Sequence, residues 1–358
     1  MVDKRKEIGY IIPFAKMRGE TSFASIGALK RLLGTKKVGH TGTLDSFADG
    51  LLVAVSGKLT RLASFIEAGS KRYEALITFG SETDTLDPTG EVVKQASLPT
   101  YASVQDILSS FVGKIMQVPP QFSALHVGGK RASDIVRSGG SVELREREVE
   151  IKEIDVKGGL FDGYDAFVDA SHLDNHKGQL VKELHVEVEC SKGTYIRALA
   201  RDIGKRVGSL AYLKALRRLS VACFSLKDAF RSSCLSDFLN TDKNSSPIAL
   251  NEARIEEREN GCNLLANYKR VFSASLCEDL QLPVLEIKRN FVRSFVQGKE
   301  IKEKWFCDDK FDKKLHNHGM EEKRDVIMKK GVGFVFCEDE AIGAITIEAF
   351  RYKYKFVL

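Results

Sequence analysis

From Tyr73 to Phe79 the chain alternates. Tyr73, Ala75, Ile77 and Phe79 fall on one face and Glu74 and Thr78 on the other, with Leu76 breaking the polarity. Period two is the signature of a strand with one buried face. The pattern stops at Gly80, and Thr83-Asp84-Thr85-Leu86-Asp87-Pro88-Thr89-Gly90 is dense in turn residues. A helix is expected from Val104 to Phe111, with Ser103 as N-cap and Gly113 beyond its end. Pro119 and Pro120 then keep the preceding residues extended. The clearest unit runs from Leu184 to Val207. Leu184, Val186, Val188 and Cys190 alternate with His185, Glu187 and Glu189, a second half-exposed strand. Ser191-Lys192-Gly193 reads as a turn, with Thr194 a candidate N-cap. Ile196, Leu199, Ala200, Ile203 and Val207 follow at helical spacing, and Arg197, Arg201 and Lys205 recur as one basic stripe on the polar side.

Two polar stretches, Lys157 to Gln179 and Trp305 to Lys330, read as loops or insertions. A polar tract from about Ser232 to Asn263 opens a linker assigned to 232–281. It separates a domain at 1–231 from a small β-rich domain at 282–358, in which Val332 to Phe336 and Ala341 to Ile347 are strand-like. Two domains suit a chain of 358 residues, whose core needs neither disulfide nor metal to hold it. Hydrophobic residues at 43% and charged residues at 29% exclude a disordered or fibrous chain. No apolar run approaches the roughly 18 residues of a membrane span, and the apolar stretch near the N-terminus is too brief for a signal peptide. A cytoplasmic protein is expected. The seven cysteines are odd in number and show no C-x-x-C, so reduced, mostly buried thiols are expected. A net charge of +6 and a pI of about 8.8 suit a polyanionic partner without requiring one.

The chemistry concentrates in Val38-Gly39-His40-Thr41-Gly42-Thr43-Leu44-Asp45-Ser46-Phe47-Ala48-Asp49-Gly50. Glycines at 39, 42 and 50 imply a tight loop where backbone approaches a ligand. By residue type alone, such a loop is either a site carrying one His and one Asp or a turn with a capping Asp. The stretch resembles the catalytic loop of the TruB-type pseudouridine synthases, G-H-x-G-x-L-D-x-x-A-x-G, with every fixed position present. Gly19-Glu20-Thr21-Ser22, Lys71-Arg72-Tyr73, the Thr83–Gly90 turn, Pro120-Gln121-Phe122-Ser123-Ala124, Cys190-Ser191-Lys192-Gly193-Thr194-Tyr195-Ile196-Arg197 and Leu216-Arg217-Arg218 resemble the family's other motifs, in family order. The tail from Leu282 is more weakly similar to a PUA-like RNA-binding domain.

The resemblance implies an α+β pseudouridine synthase fold, with a mixed, largely antiparallel central sheet flanked by helices and loops. It implies an isomerase that breaks the glycosidic bond of a uridine, turns the uracil and forms a C–C bond, usually at position 55 in the T-loop of tRNA. No cofactor, metal, membrane or obligatory protein partner is implied. Asp45 would be the catalytic carboxylate and Arg197 its ion-pair partner. Tyr73 would lie against the target base, Tyr195 would shape the pocket, and Leu216 would give it an apolar wall. His40 would fill the stack vacated by a flipped uridine or bind backbone. The segment at about 124–150, with Lys130, Arg131, Arg137, Arg145 and Arg147, would be a thumb gripping RNA. Further phosphate contacts are expected from Lys30, Arg31, Lys36, Lys37, Lys58, Arg61, Lys71 and Arg72 around the loop. His172 with His176, and His316 with His318, have spacings that mimic metal pairs but lack a third ligand nearby, and are expected to be solvated. The chain departs from the family at Met17, where proline is usual, at Ser46, also usually proline, and at Asp49, usually small or hydroxylic. Asp49 lies four residues after Asp45, so it is expected to raise that residue's pKa. Two other readings remain: a synthase of a different RNA, and an RNA-binding or RNA-folding protein.

Overall fold

The protein is described from a computed structural model covering residues 8–240, 265–307, 330–348 and 351–358. A ten-stranded sheet forms the larger part. Its strands are β1 (Ile11–Lys16), β2 (Val38–His40), β3 (Asp49–Ser56), β4 (Lys71–Phe79), β7 (Gly113–Gln117), β10 (Arg147–Phe161), β11 (Val168–Asp169), β12 (Val181–Cys190), β13 (Ala211–Val221) and β14 (Phe224–Ser225). The hairpin β5 (Ser81–Thr83) and β6 (Val92–Gln95) follows β4, and β8 (His126–Val127) and β9 (Lys130–Arg131) follow β7. The order through the sheet is β1-β3-β13-β4-β12-β10-β11. Every pairing in it is antiparallel except β13 with β3, which run parallel through Arg217↔Asp49 and Arg218↔Gly50. This is an α+β arrangement with a mixed, largely antiparallel central sheet, as the motifs imply.

The alternation seen in the sequence is the core pattern. Tyr73, Ala75, Ile77 and Phe79 of β4 and Leu184, Val186, Val188 and Cys190 of β12 form one apolar cluster with Ile196, Leu199, Ala200 and Ile203. The last four belong to α5 (Ile196–Arg206), which lies over the sheet. Leu76, the apparent break in the alternation, is buried on the opposite face, where Ala215 and Phe238 cover it. Phe238 comes from the tract expected to be linker. Residues 265–281 are also packed: Leu265, Phe272 and Cys277 are buried, Arg270 pairs with Ile11, and α6 (Ala274–Asp279) follows.

Local details differ from expectation where side chains chose their partners. The helix expected from Val104 is α3 (Tyr101–Leu108), and its cap is Thr100, whose hydroxyl accepts from the Ser103 amide at 3.3 Å. Ser103 is not the cap, because burying Tyr101 starts the helix earlier. Thr194 does not cap α5 either. Its hydroxyl turns back to the Ser191 carbonyl at 3.0 Å, and the Gln117 side chain ties the helix entry by accepting from the Tyr195 amide at 2.9 Å. The insertion at 157–179 completes β10, then forms β11 and a 3-10 turn, Ala170–His176, in which His176 stacks on Phe161 at 4.7 Å. His316, His318, most of the Trp305–Lys330 stretch and Cys262 lie outside the described residues. Cys190 and Cys277 are buried, but Cys223 is exposed and Cys234, Cys307 and Cys337 are half-buried, so the expectation of mostly buried thiols fails. Among the described residues no helix is long and apolar enough to cross a membrane.

A small β-rich C-terminal region carries a four-stranded sheet of β15 (Val284–Glu286), β16 (Lys330–Cys337), β17 (Glu340–Glu348) and β18 (Arg351–Val357), in that order. One of its faces is not independent of the larger sheet. Phe334, Phe336, Ala344 and Phe356 share an apolar cluster with Val53, Val55, Leu59 and Ile66. Phe65 meets Phe334 edge-on at 5.0 Å, and the Arg61 guanidinium donates to the Val357 carbonyl at 2.9 Å. Phe65 and Ile66 lie on the short helix α2 (Ala63–Glu67). Phe334 is fully buried at this junction, so Phe334→Ala should cost about 3–5 kcal/mol. Urea unfolding measures this. A loss below about 1 kcal/mol would mean the two sheets do not share a core.

Candidate active site

Asp45 sits on the loop between β2 and β3, which the sequence leaves without periodic structure. Buried cations hold that loop by its backbone. Arg218 is 2% exposed, and its guanidinium donates to the carbonyls of Leu51 at 2.8 Å and Gly42 at 3.2 Å. Lys16 is fully buried and donates to the carbonyls of Ala48 at 2.6 Å, Glu20 at 2.7 Å and Met17 at 3.0 Å. Burial pushes the Lys16 ammonium down to about 8, against the pull of nearby Glu20, Asp49 and Asp45. The Ser22 hydroxyl bridges the amide and carbonyl of Leu44, each at 3.0 Å. These contacts give the N-terminal motif a physical reason. Met17, standing where the family has proline, is buried and leaves this network in place.

Gly50 closes the loop. It has φ of 105°, and a Cβ there would stand 2.5 Å from the Arg218 carbonyl oxygen. Glycine alone allows this parallel approach of β3 to β13.

The arginine of α5 organises the carboxylates. Arg197 Nη2 donates to Asp45 Oδ1 at 3.2 Å and to the Phe122 carbonyl at 2.9 Å. Its Nη1 donates to the Thr85 carbonyl at 2.8 Å and to Asp87 Oδ2 at 3.2 Å. Nε lies 2.9 Å from Asp45 Oδ2 but is not aligned for a hydrogen bond, so that contact is a Coulombic one. The Arg197 side chain is 5% exposed and that of Asp87 7%, while Asp45 keeps 38%. Asp87 also accepts from the Thr85 hydroxyl at 2.8 Å and the Thr89 amide at 3.0 Å, which fixes the turn between β5 and β6.

Crowding by the surrounding protein pushes the Asp45 carboxyl above its ordinary value. Arg197 opposes that shift, and the second carboxylate, Asp87, adds to it. The rest of the Asp45 side chain stays open toward the pocket. Asp49 has no part in this, contrary to expectation. It is buried against Arg217, at 2.6 and 3.1 Å, with Arg18 at 3.6 Å, and its charge is spent there.

A pocket of about 640 Å³ opens over this network, lined by Asp45, Tyr73, Tyr195, Arg197, Leu216 and Arg218 among others. Tyr73 is 9% exposed, and burial raises its phenol, whose hydroxyl meets Arg218. Tyr195 is raised for the same reason. Five of the six expected site residues therefore converge on one pocket. His40 does not. It stands on β2 opposite Ala54, and its Nδ1 is buried without a hydrogen-bond partner. Burial, aided by the charge of Arg218, lowers its pKa and favours the neutral ring. The basic residues also divide. Lys71 is buried, donates to the carbonyls of Glu67 and Gly69, and is pushed down to about 8 by burial. Arg72 pairs with Glu153, Glu187 and Glu189. Neither is available for phosphate. Arg201 reaches the Val118 carbonyl at 2.9 Å and leaves only the end of the α5 stripe, Lys205, exposed. Lys130, Arg131, Arg137, Arg145 and Arg147 are exposed on the segment beside the pocket. Asp87, Lys16 and Arg218 were missed as site residues, although the T-D-T-x-D and L-R-R matches pointed to two of them.

Residues 30–196 match the model of the TruB family pseudouridylate synthases, N-terminal domain. A tRNA pseudouridine synthase B of Treponema denticola is 42% identical, over 97% of this chain and 98% of that one. The chain belongs to the TruB family. The corresponding synthase B of Borreliella afzelii is 35% identical over 71% of this chain and 86% of its own. Among solved structures, that of a Cbf5-Nop10-Gar1 complex aligns over 100% of this chain and 87% of its own, with a TM-score of 0.60 at 18% identity, a likeness of fold. The chain is thus a pseudouridine synthase, an isomerase. Within this TruB-family site the glycine that closes the loop is a sharp test. Gly50→Ala should destabilise by at least about 1–3 kcal/mol, since it combines backbone strain with a clash against β13. An unchanged unfolding midpoint would show that β3 and β13 do not meet as described.

Proposed function

We propose that this TruB-family enzyme isomerises the T-loop uridine of tRNA, position 55, to pseudouridine, with Asp45 as its catalytic carboxylate. The observation that carries the reading is the Asp45 carboxylate gripped by buried Arg197 at the floor of a pocket walled by Tyr73. The names of the relatives, tRNA pseudouridine synthase B, support tRNA as the substrate.

The geometry supports the following course. The target uridine flips out of its stack, at a cost of a few kcal/mol, and enters the pocket. Tyr73 offers an aromatic face to the uracil, Tyr195 closes one side, and Leu216 gives an apolar wall. Asp45 acts on the nucleotide as the N1–C1′ bond breaks. The uracil turns, C5 bonds to C1′, the C5 proton leaves, and N1 gains a proton. The charge of Asp45 is needed throughout, and Arg197 aims it. The exposed cations at 130–147, the expected thumb, and Lys192 at the pocket rim would contact phosphates on either side. His40, off the pocket wall, is assigned no contact with the base.

Asp45→Asn should abolish pseudouridine formation while leaving RNA affinity nearly unchanged. A tritium-release assay beside a binding titration decides this, and appreciable turnover would remove Asp45 from its role. The pH dependence has a definite sign. Activity needs the ionised carboxylate, whose pKa is raised, so the single-turnover rate should be lost as pH falls through a midpoint above the ordinary value of about 3.9. An acid limb centred at or below about 4 would contradict the raised pKa. Binding should weaken with salt by a log–log slope of about −0.7 to −0.9 for each phosphate neutralised. A flat salt dependence would leave the exposed cations as solvated surface only.

A further inference from the structure

Three carboxylates line the pocket: Asp45, Glu67 and Glu148. Asp45 is held by Arg197, and Glu148 pairs with Lys114 at 3.1 Å. Glu67 differs from both. Among the described residues its carboxylate has no ion pair and no hydrogen bond, and the residue is exposed. Glu67 is the last residue of α2, whose other face is packed against the C-terminal sheet through Phe65 and Ile66, so its backbone is fixed. A Cβ placed on Gly42 would stand 3.6 Å from Glu67 Oε1, which puts the carboxylate against the loop that carries Asp45.

The cations beside Glu67 give their hydrogen bonds elsewhere, although its charge still acts on Lys71 and on the ring of His40. Lys71 gives its protons to the main-chain carbonyls of Glu67 and Gly69, and Arg218 gives its own to Leu51, Gly42 and Thr43. An anion left open in an RNA-facing pocket repels phosphate. What it accepts well is an N–H donor on a base edge, and the exocyclic amino groups of cytosine, guanine and adenine are such donors. The same pocket of about 640 Å³ is lined by Lys192 and Arg147 as well as by Asp45 and Glu67.

We propose that Glu67 is a specificity-determining residue that accepts a hydrogen bond from the exocyclic amino group of a nucleobase adjoining the target uridine. The inference rests on the proposed isomerisation of a tRNA uridine at this site. It adds a carboxylate that reads sequence to one that carries out chemistry.

The test uses the full-length protein and a set of T stem-loop RNAs. Each loop nucleotide near the target that bears an amino group is replaced by one without it: cytidine by uridine, guanosine by inosine, adenosine by purine riboside. Single-turnover rates and equilibrium affinities are measured for wild type, Glu67→Gln and Glu67→Leu. One replacement should lower rate over dissociation constant by about tenfold in wild type and by no more than about twofold in Glu67→Leu, as expected for one lost base contact. Glu67→Gln, which keeps an acceptor, should fall between them. The proposal is overturned if no replacement couples to the substitution. It is equally overturned if Glu67→Leu tightens binding of every RNA by one factor, the result of simple repulsion. Should wild type bind the parent stem-loop without converting it, the isomerase reading fails, while the affinities of the same set still decide the coupling.

Discussion

The site depends on the burial of one guanidinium. Arg197 lies under the pocket almost without access to water, and a charge so placed must be surrounded by acceptors. It finds them in three separate stretches of chain: Asp45 on the loop before β3, Thr85 and Asp87 in the turn after β5, and Phe122 between β7 and β8. Satisfying Arg197 therefore assembles the site. Two carboxylates share a single positive charge, and they share it unequally. Asp87 is sealed in and bonded on several sides, whereas Asp45 keeps an open edge toward the pocket. Burial, with a smaller push from Asp87, outweighs Arg197 and raises the Asp45 carboxyl. Asp45 is thus held in place by Arg197 yet left open on one side, which suits the catalytic role proposed for it.

The same economy of buried cations explains the surrounding scaffold. Lys16, Lys71 and Arg218 each donate to a backbone carbonyl outside the regular strands and helices, at Ala48, Gly69 and Gly42. A loop rich in glycine can approach a ligand only if something else fixes its main chain, and these side chains do so. Basic residues clustered around the motif thus serve two ends. Some are internal struts, and others, on the segment from Lys130 to Arg147, face outward where a polyanion can reach them. Net charge alone cannot separate the two groups.

What could be read from the sequence was what repeats. The alternation on β4 and β12 and the helical spacing on α5 are local patterns, and the Asp45 loop was marked by its motif. What could not be read was set by distant partners. Leu76 looked misplaced because Phe238, far along the chain, covers it. The residues after Ser232 looked like linker because their few apolar side chains lack periodicity, yet Phe238, Leu265 and Phe272 are buried. Asp49 looked coupled to Asp45 because it is four residues away, but the carboxylate that acts on Asp45 is Asp87, joined to it through Arg197. Proximity in sequence is a poor guide to electrostatics in a loop, where direction reverses within a few residues.

In the function proposed above, Arg197 works by geometry, gripping Asp45 and Asp87 at once, and not by adding positive charge for RNA. Arg197→Lys preserves the charge and removes the planar fork. Single-turnover rates at saturating RNA, measured beside Arg201→Ala on the same helix, test the claim directly. Arg197→Lys should lose about tenfold or more in rate, comparable to a lost hydrogen bond between charged groups, while Arg201→Ala should reach the wild-type rate once RNA is saturating. A wild-type rate for Arg197→Lys would contradict it.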